Sequence, residues 1–137
     1  MTIAEDAISE QECWYLLATT SVGRLALSVR AMPMILPVQY YLDDCDIAAC
    51  LGHRELPERS LDEAIIAFAA DSIDPSTCAG WSVEVQGRSV LSRQAWSGTS
   101  CPQHALGQVV RIEPATLTGH RVHLCPLIDE MRAASRR

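Results

Sequence analysis

The segment "WSVEVQGRSVL" (81–91) sets Ser82, Glu84 and Gln86 against Val83 and Val85. "VGRLALSV" (22–29) likewise sets Val22, Arg24, Ala26 and Ser28 against Leu25, Leu27 and Val29. Alternation with a period of two belongs to strands that bury one face, and a helix would scatter the same residues around its circumference. More short apolar segments lie between turn-forming residues: "MILPVQYYL" (34–42), "IAACL" (47–51) and "QVVRIEP" (108–114). "AIIAFAA" (64–70) reads either as a buried strand or as the continuation of a helix, with Ile65, Ile66 and Phe68 favouring the strand. Six or seven short strands with few helices make a barrel or a sandwich.

Helix signals are fewer. In "ISEQECWYLLATT", Ser9 and Glu12 have the spacing of a capping box and Ile8 is placed to staple onto Cys13. Trp14, Leu17 and Ala18 follow at helical spacing, which predicts a helix of about ten residues. Pro57 and "ERSLDE" predict a short second helix, with Ser60 and Glu63 as another candidate box. Turns are expected at "RAMP", at "DDCD", across "DSIDPSTCAG" and at the Thr-Gly step of "ATLTGHRVHLC". The tail 126–137, opened by Pro126, is expected to be a frayed helix. Pro37 interrupts the second strand. Lacking an N–H, it requires an edge, a bulge or an opening toward a ligand.

A chain of 137 residues fits a single domain with one core. Its net charge of -6 argues against a general nucleic-acid binder, which presents a basic face to phosphates. No apolar run approaches the roughly 20 residues that cross a bilayer, so no membrane partner is expected. "MTIAEDAISEQE" lacks the basic start and apolar middle of a secretory signal, and the chain reads as cytoplasmic. The six cysteines contain no C-x-x-C and read as free thiols. Cys101 with His104, and His123 with Cys125, have spacings seen among metal ligands, but the interval between the pairs matches no zinc pattern, and no metal is expected. The sequence has no G-x-S-x-G, no P-loop, no H-E-x-x-H and no nicotinamide-binding signature.

The order of "SEQECWYLLATTSVGRLALS", "MPMILPVQYYLDD", "IDPSTCAGWSVEVQGRS" and "VVRIEPATLTGHRV" resembles the pyridoxamine 5'-phosphate oxidase-like superfamily, in particular its actinobacterial flavin-binding branch. The likeness covers about residues 8 to 122. It implies a mainly β fold with flanking helices, a six-stranded antiparallel split β-barrel, paired as a homodimer with a cofactor groove at each side of the interface. It further implies FMN as cofactor, with F420 or haem in some relatives, and a small-molecule substrate. The cofactor then carries the redox chemistry, and no catalytic side chain is required. By resemblance, Pro37, Val38, Gln39 and Tyr40 run beside the flavin ring, and Trp81 and Ser82 face the partner near the same groove. Val38 and Tyr40 also suit an ordinary sheet, and Trp81 a core or dimer anchor. Oxidation of pyridoxamine phosphate itself is not expected, because the extra segments of true oxidases are missing.

A flavin phosphate is a dianion and needs donors with positive charge. The resemblance implies an arginine from the third strand and a lysine from the loop after it. Here Cys50 or Leu51 stands at the first position, and Glu55 or Leu56 at the second. His53, Arg54 and Arg59 remain, and arginine holds phosphate in a bidentate fork. A thiolate at Cys50 would be favoured by Arg54. Glu55, Glu58, Asp62 and Glu63 could instead absorb both arginines as surface pairs. Two expectations follow. One is an FMN-dependent oxidoreductase of unspecified substrate, F420 suiting it less because its acidic tail calls for a basic groove. The other is a flavin-free, dimeric binding or regulatory protein.

Overall fold

Strand β2 (Val22–Val29) reverses at Arg30 and Ala31 into β3 (Met32–Asp43), and both turn residues have positive φ, 52° and 64°. That pair of left-handed residues matches the twist of the flanking strands, as in a two-residue hairpin loop of type I′. The structure, a computed structural model, describes residues 4–92 and 107–124. Around this hairpin stand β1 (Ala4–Ile8), α1 (Glu10–Ala18), β4 (Asp46–Cys50), α2 (Glu58–Leu61), β5 (Ile65–Asp74), β6 (Ala79–Ser92) and β7 (Val109–His123).

All strand pairs are antiparallel. The order β7–β4–β3–β2–β5–β6 closes on itself through the pairing of β6 with β7. Strand β7 changes partner along one edge, bonding β4 through 109–112 and β1 through 119–123. The result is the split β-barrel expected from the resemblance, with seven strands among the described residues rather than six: six close the barrel and β1 lengthens the sheet. Leu25, Leu36, Phe68, Val83, Val85, Val110 and Ile112 fill the interior, and α1 covers it with Leu17 and Cys13.

The first helix forms where its signals put it. Ser9 Oγ accepts from the Glu12 N–H at 3.2 Å, but the reciprocal half of the box is absent, because the Glu12 carboxylate pairs with Arg121. "AIIAFAA" is strand. The expected loop "DSIDPSTCAG" shrinks to a turn over 75–78, since β5 continues to Asp74, whose Oδ1 accepts from the Ser76 N–H at 2.8 Å and the Ser76 hydroxyl at 2.7 Å. The Thr-Gly turn does not form, because β7 runs through Gly119 without a break. A Cβ there would collide with Cys13 Sγ, so this glycine marks where α1 presses on the strand. Nor does the second capping box form. Pro57 caps α2 without a side-chain bond, Ser60 is buried within it, and Glu63 pairs with Arg88 at 3.1 Å. No helix among the described residues is long and apolar enough to cross a membrane. The tail 126–137 lies outside the described residues.

Candidate functional site

Strand β3 has two neighbours for only part of its length. Strand β2 accompanies it from Val29↔Met32 to Val22↔Gln39, whereas β4 joins it only from Gln39↔Cys50 to Asp43↔Asp46. Toward Met32 from Gln39, one edge of β3 has no strand partner among the described residues. Pro37 lies in that one-sided stretch, across from Arg24, where among the described residues no second ladder exists for it to break. The proline is therefore an edge proline, and the edge is where the barrel splits.

Because β4 stops at Cys50, the chain turns away at Leu51 and Gly52, the glycine adopting φ 66° with open space where a side chain would stand. The gap between this turn and the open edge is a cavity of about 280 Å³ lined by Val22, Pro37, Val38, Gln39, Cys50, Leu51, Gly52 and His53. Val22, Gln39 and Cys50 are consecutive cross-strand partners and make a row across three strands at its floor. Both faces of β4 are buried: Ile47 and Ala49 inside the barrel, Ala48 and Cys50 outside with Val109 and Tyr41.

Of the nine site residues expected from the sequence, the structure brings Pro37, Val38, Gln39 and Cys50 together at this cavity. Tyr40 points the other way. Its hydroxyl donates to the Leu17 carbonyl at 2.5 Å and also meets Thr20 Oγ1, and its ring stands edge-on to Phe68 at 4.8 Å. Burial pushes its phenol pKa up, partly opposed by the Thr20 hydrogen bond. Strand alternation explains the split: Val38 and Tyr40, on either side of Gln39, both turn their side chains into the barrel core, and Val38 borders the cavity from that buried position. Trp81 is packed in the barrel core, and Ser82 is half-buried on β6; neither is among the described lining residues. Arg54 and Arg59 are exposed, one in the loop after β4 and one on α2. Among the described residues neither guanidinium has a carboxylate partner. Their expected surface pairs do not form, since Glu63 is held by Arg88 and Asp62 accepts from the Leu91 N–H at 3.0 Å.

Sequence reasoning passed over four participants. Val22 and Gly52 line the cavity. Arg24 is exposed beside Pro37 and donates to its neighbour, the Gly23 carbonyl, at 3.3 Å. Gln108 holds the loop after β4: its carbonyl accepts from the Leu51 N–H at 3.0 Å, and its side chain bonds both backbone groups of Leu56. A signal existed for Val22 and Arg24. A two-residue turn at Arg30 and Ala31 fixes the hairpin register, and that register puts Val22 against Gln39 and Arg24 against Pro37. Among the described residues no group of three metal-ligating side chains assembles. Of the four residues with metal-ligand spacing, Cys101, His104 and Cys125 lie outside the described residues, and His123 is exposed at the end of β7.

The model of the family described as pyridoxamine 5'-phosphate oxidase matches residues 9–121. The chain belongs to this family. An uncharacterised protein of Mycobacterium tuberculosis is 29% identical over 130 residues, covering 84% of each chain. Among solved structures, a FAD-binding protein from Mycobacterium smegmatis superposes with a TM-score of 0.66 at 24% identity, over 86% of this chain and 98% of that one. A FAD-binding protein from Mesorhizobium loti gives 0.68 at 18% identity, over 88% and 98%. These likenesses establish the split-barrel fold. Every residue of the cavity lies inside the span matched by the pyridoxamine 5'-phosphate oxidase family.

Proposed function

We propose that this member of the pyridoxamine 5'-phosphate oxidase family binds a flavin, FMN, in the cavity between the β3 edge and the loop after β4. It acts in the cytoplasm as an oxidoreductase on a small molecule. The observation that carries this reading is the early end of β4, which opens an apolar-sided cleft beside Pro37 with the Gln39 amide at its floor. Val22 and Pro37 suit the face of a planar ring, and an amide suits its polar edge. Arg24 stands across the ladder from Pro37 and Arg54 follows the lining residue His53 in the chain, both without carboxylate partners among the described residues, so a phosphate would find guanidinium groups not already neutralised. The FAD-binding proteins with the same fold support a flavin in general.

The cavity, at about 280 Å³, lies just below the roughly 300–1,000 Å³ range of ligand pockets and is open to solvent on one side. F420 suits it less, because its acidic tail would approach a chain of net charge -6. The bound flavin would supply the hydride or electron transfer. The protein's part is to orient the ring and keep water from one face. The outer face of the same sheet carries exposed Ile35, Val22 and Ile65 with half-buried Ala26 and Ala67, an apolar patch continuous with the cleft. A second copy of the chain covers it in this reading, and a small-angle scattering mass of one chain would remove the dimer.

Purified protein is expected to be yellow or to become so with FMN. Titration followed by flavin fluorescence should give a Kd of about micromolar or tighter, and one weaker than about millimolar ends the reading. Trp81 is a poor reporter, being packed in the core. One observation favours the flavin-free binding protein instead: Cys50 occupies the third-strand position where the resemblance implies a cation. Failure of the titration selects that alternative.

A further inference from the structure

The loop between β4 and α2 hangs on one residue. Gln108 precedes β7, and its carbonyl accepts from the Leu51 N–H at 3.0 Å. Its side-chain Oε1 accepts from the Leu56 N–H at 2.9 Å, and its Nε2 donates to the Leu56 carbonyl at 3.1 Å. Gln108 therefore grips both ends of the segment that carries Gly52, His53, Arg54 and Glu55. Its amide imitates a rung of a β-ladder, offering donor and acceptor together to a stretch of backbone that has left the sheet. The need for it follows from Leu56. That side chain joins the barrel core, as does Leu51, so the Leu56 backbone is drawn away from water and requires partners. Between the two anchors the Arg54 N–H closes a turn on the Leu51 carbonyl at 3.3 Å. No α-helix or strand stiffens the segment.

We infer that Gln108 is a positioning residue, a latch on Leu56 that holds His53 and Arg54 against the cleft and so sets the affinity for a phosphate-bearing ligand there. The ligand half of this inference rests on the flavin reading. The latch itself does not. A loop released from Leu56 samples many arrangements, and a phosphate then binds only the fraction that presents the guanidinium correctly. The ring end of a flavin, lying on Val22, Pro37 and Gln39, does not depend on that fraction.

The test uses the full chain with Gln108→Ala and Gln108→Glu, and FMN and riboflavin as probes. In the alanine variant the FMN Kd should rise about tenfold while that of riboflavin, which has no phosphate, stays within about twofold. Hydrogen exchange at the Leu56 amide should accelerate at least about tenfold, with the Val110 amide in β7 unchanged. In the glutamate variant an ionised carboxylate accepts from the Leu56 N–H but cannot donate to the Leu56 carbonyl, whereas a protonated carboxyl does both. The ratio of the Gln108→Glu Kd to the wild-type Kd should therefore fall toward one as pH drops through the carboxyl range. Unchanged Leu56 exchange in the alanine variant, or FMN and riboflavin affinities that fall together, would overturn the inference. A wild-type protein that binds neither flavin removes the flavin reading alone, and Leu56 exchange still decides the latch.

Discussion

Two sides of this barrel are built to opposite specifications. On the side of β6, β7 and α1, β6 is paired on both edges, and β7 meets α1 without clearance: Gly119 exists because Cys13 occupies the space its side chain would need. Around β3 and the loop after β4 a strand ends early, an edge lies open and a glycine faces empty space. The first side packs tightly at this contact, and its cavity of about 320 Å³ beside residues 113–117 of β7 is lined by Glu10, Asp46 and Glu113, a setting that disfavours a phosphate. The second contributes less to packing and exposes the Arg24 and Arg54 guanidiniums, which no carboxylate among the described residues has claimed. Such a division predicts that changes on the closed side alter stability, and changes on the open side alter binding.

The largest effect is expected from forcing that division. Gly119→Ala places a methyl group against Cys13 Sγ and should cost about 2–3 kcal/mol by denaturant unfolding. Cys13→Ala in the same chain should recover part of it, so the two changes sum to less than their separate costs. Additive costs would show that the glycine serves something other than this contact. Next in size, Arg54→Ala should weaken FMN binding about tenfold with a melting temperature within a degree or so of wild type, because the exposed guanidinium has no carboxylate partner among the described residues to lose. A matching fall in stability would mean that the open side carries packing after all.

A smaller change should be favourable. Ala31 holds φ 64° in the β2–β3 turn, where glycine is at ease, and Ala31→Gly should stabilise by up to about 1 kcal/mol in chemical denaturation. The smallest concerns pH. Hydrogen bonds from the Ser76 hydroxyl and backbone hold the Asp74 carboxyl below its usual range. A lowered folded pKa means stabilisation that is present above the ordinary carboxylate range and is lost as pH falls through the folded value. The stability gap between wild type and Asp74→Asn should therefore close in acid. Because the group is solvent-exposed, the gap is slight at any pH.

The closed side was the more legible in the sequence. Alternation in "WSVEVQGRSVL" reports one buried face, and that face is the barrel interior. The Ser9 cap read correctly because capping is local chemistry. Gly119 misled for a physical reason: glycine permits a turn, but it also permits close approach, and only the position of Cys13 decides which. β1 went unread because five residues without marked alternation gain strand character only from the edge of β7. The open side was legible at Pro37, whose missing N–H required an edge, a bulge or an opening toward a ligand. Tyr40 was placed with its neighbours by resemblance, although alternation along β3 already turned it inward. Gln108 could not have been found, since its contact with Leu56 spans 52 positions and glutamine carries no motif.

The central claim is that a flavin rests on the open side and leaves the closed side untouched. Amide NMR of the labelled protein titrated with FMN tests it directly. The account predicts shifts at Val22, Gln39, Gly52 and His53, with none at Cys13, Val83 or Gly119. Shifts confined to the closed side, or none at saturating FMN, would contradict it.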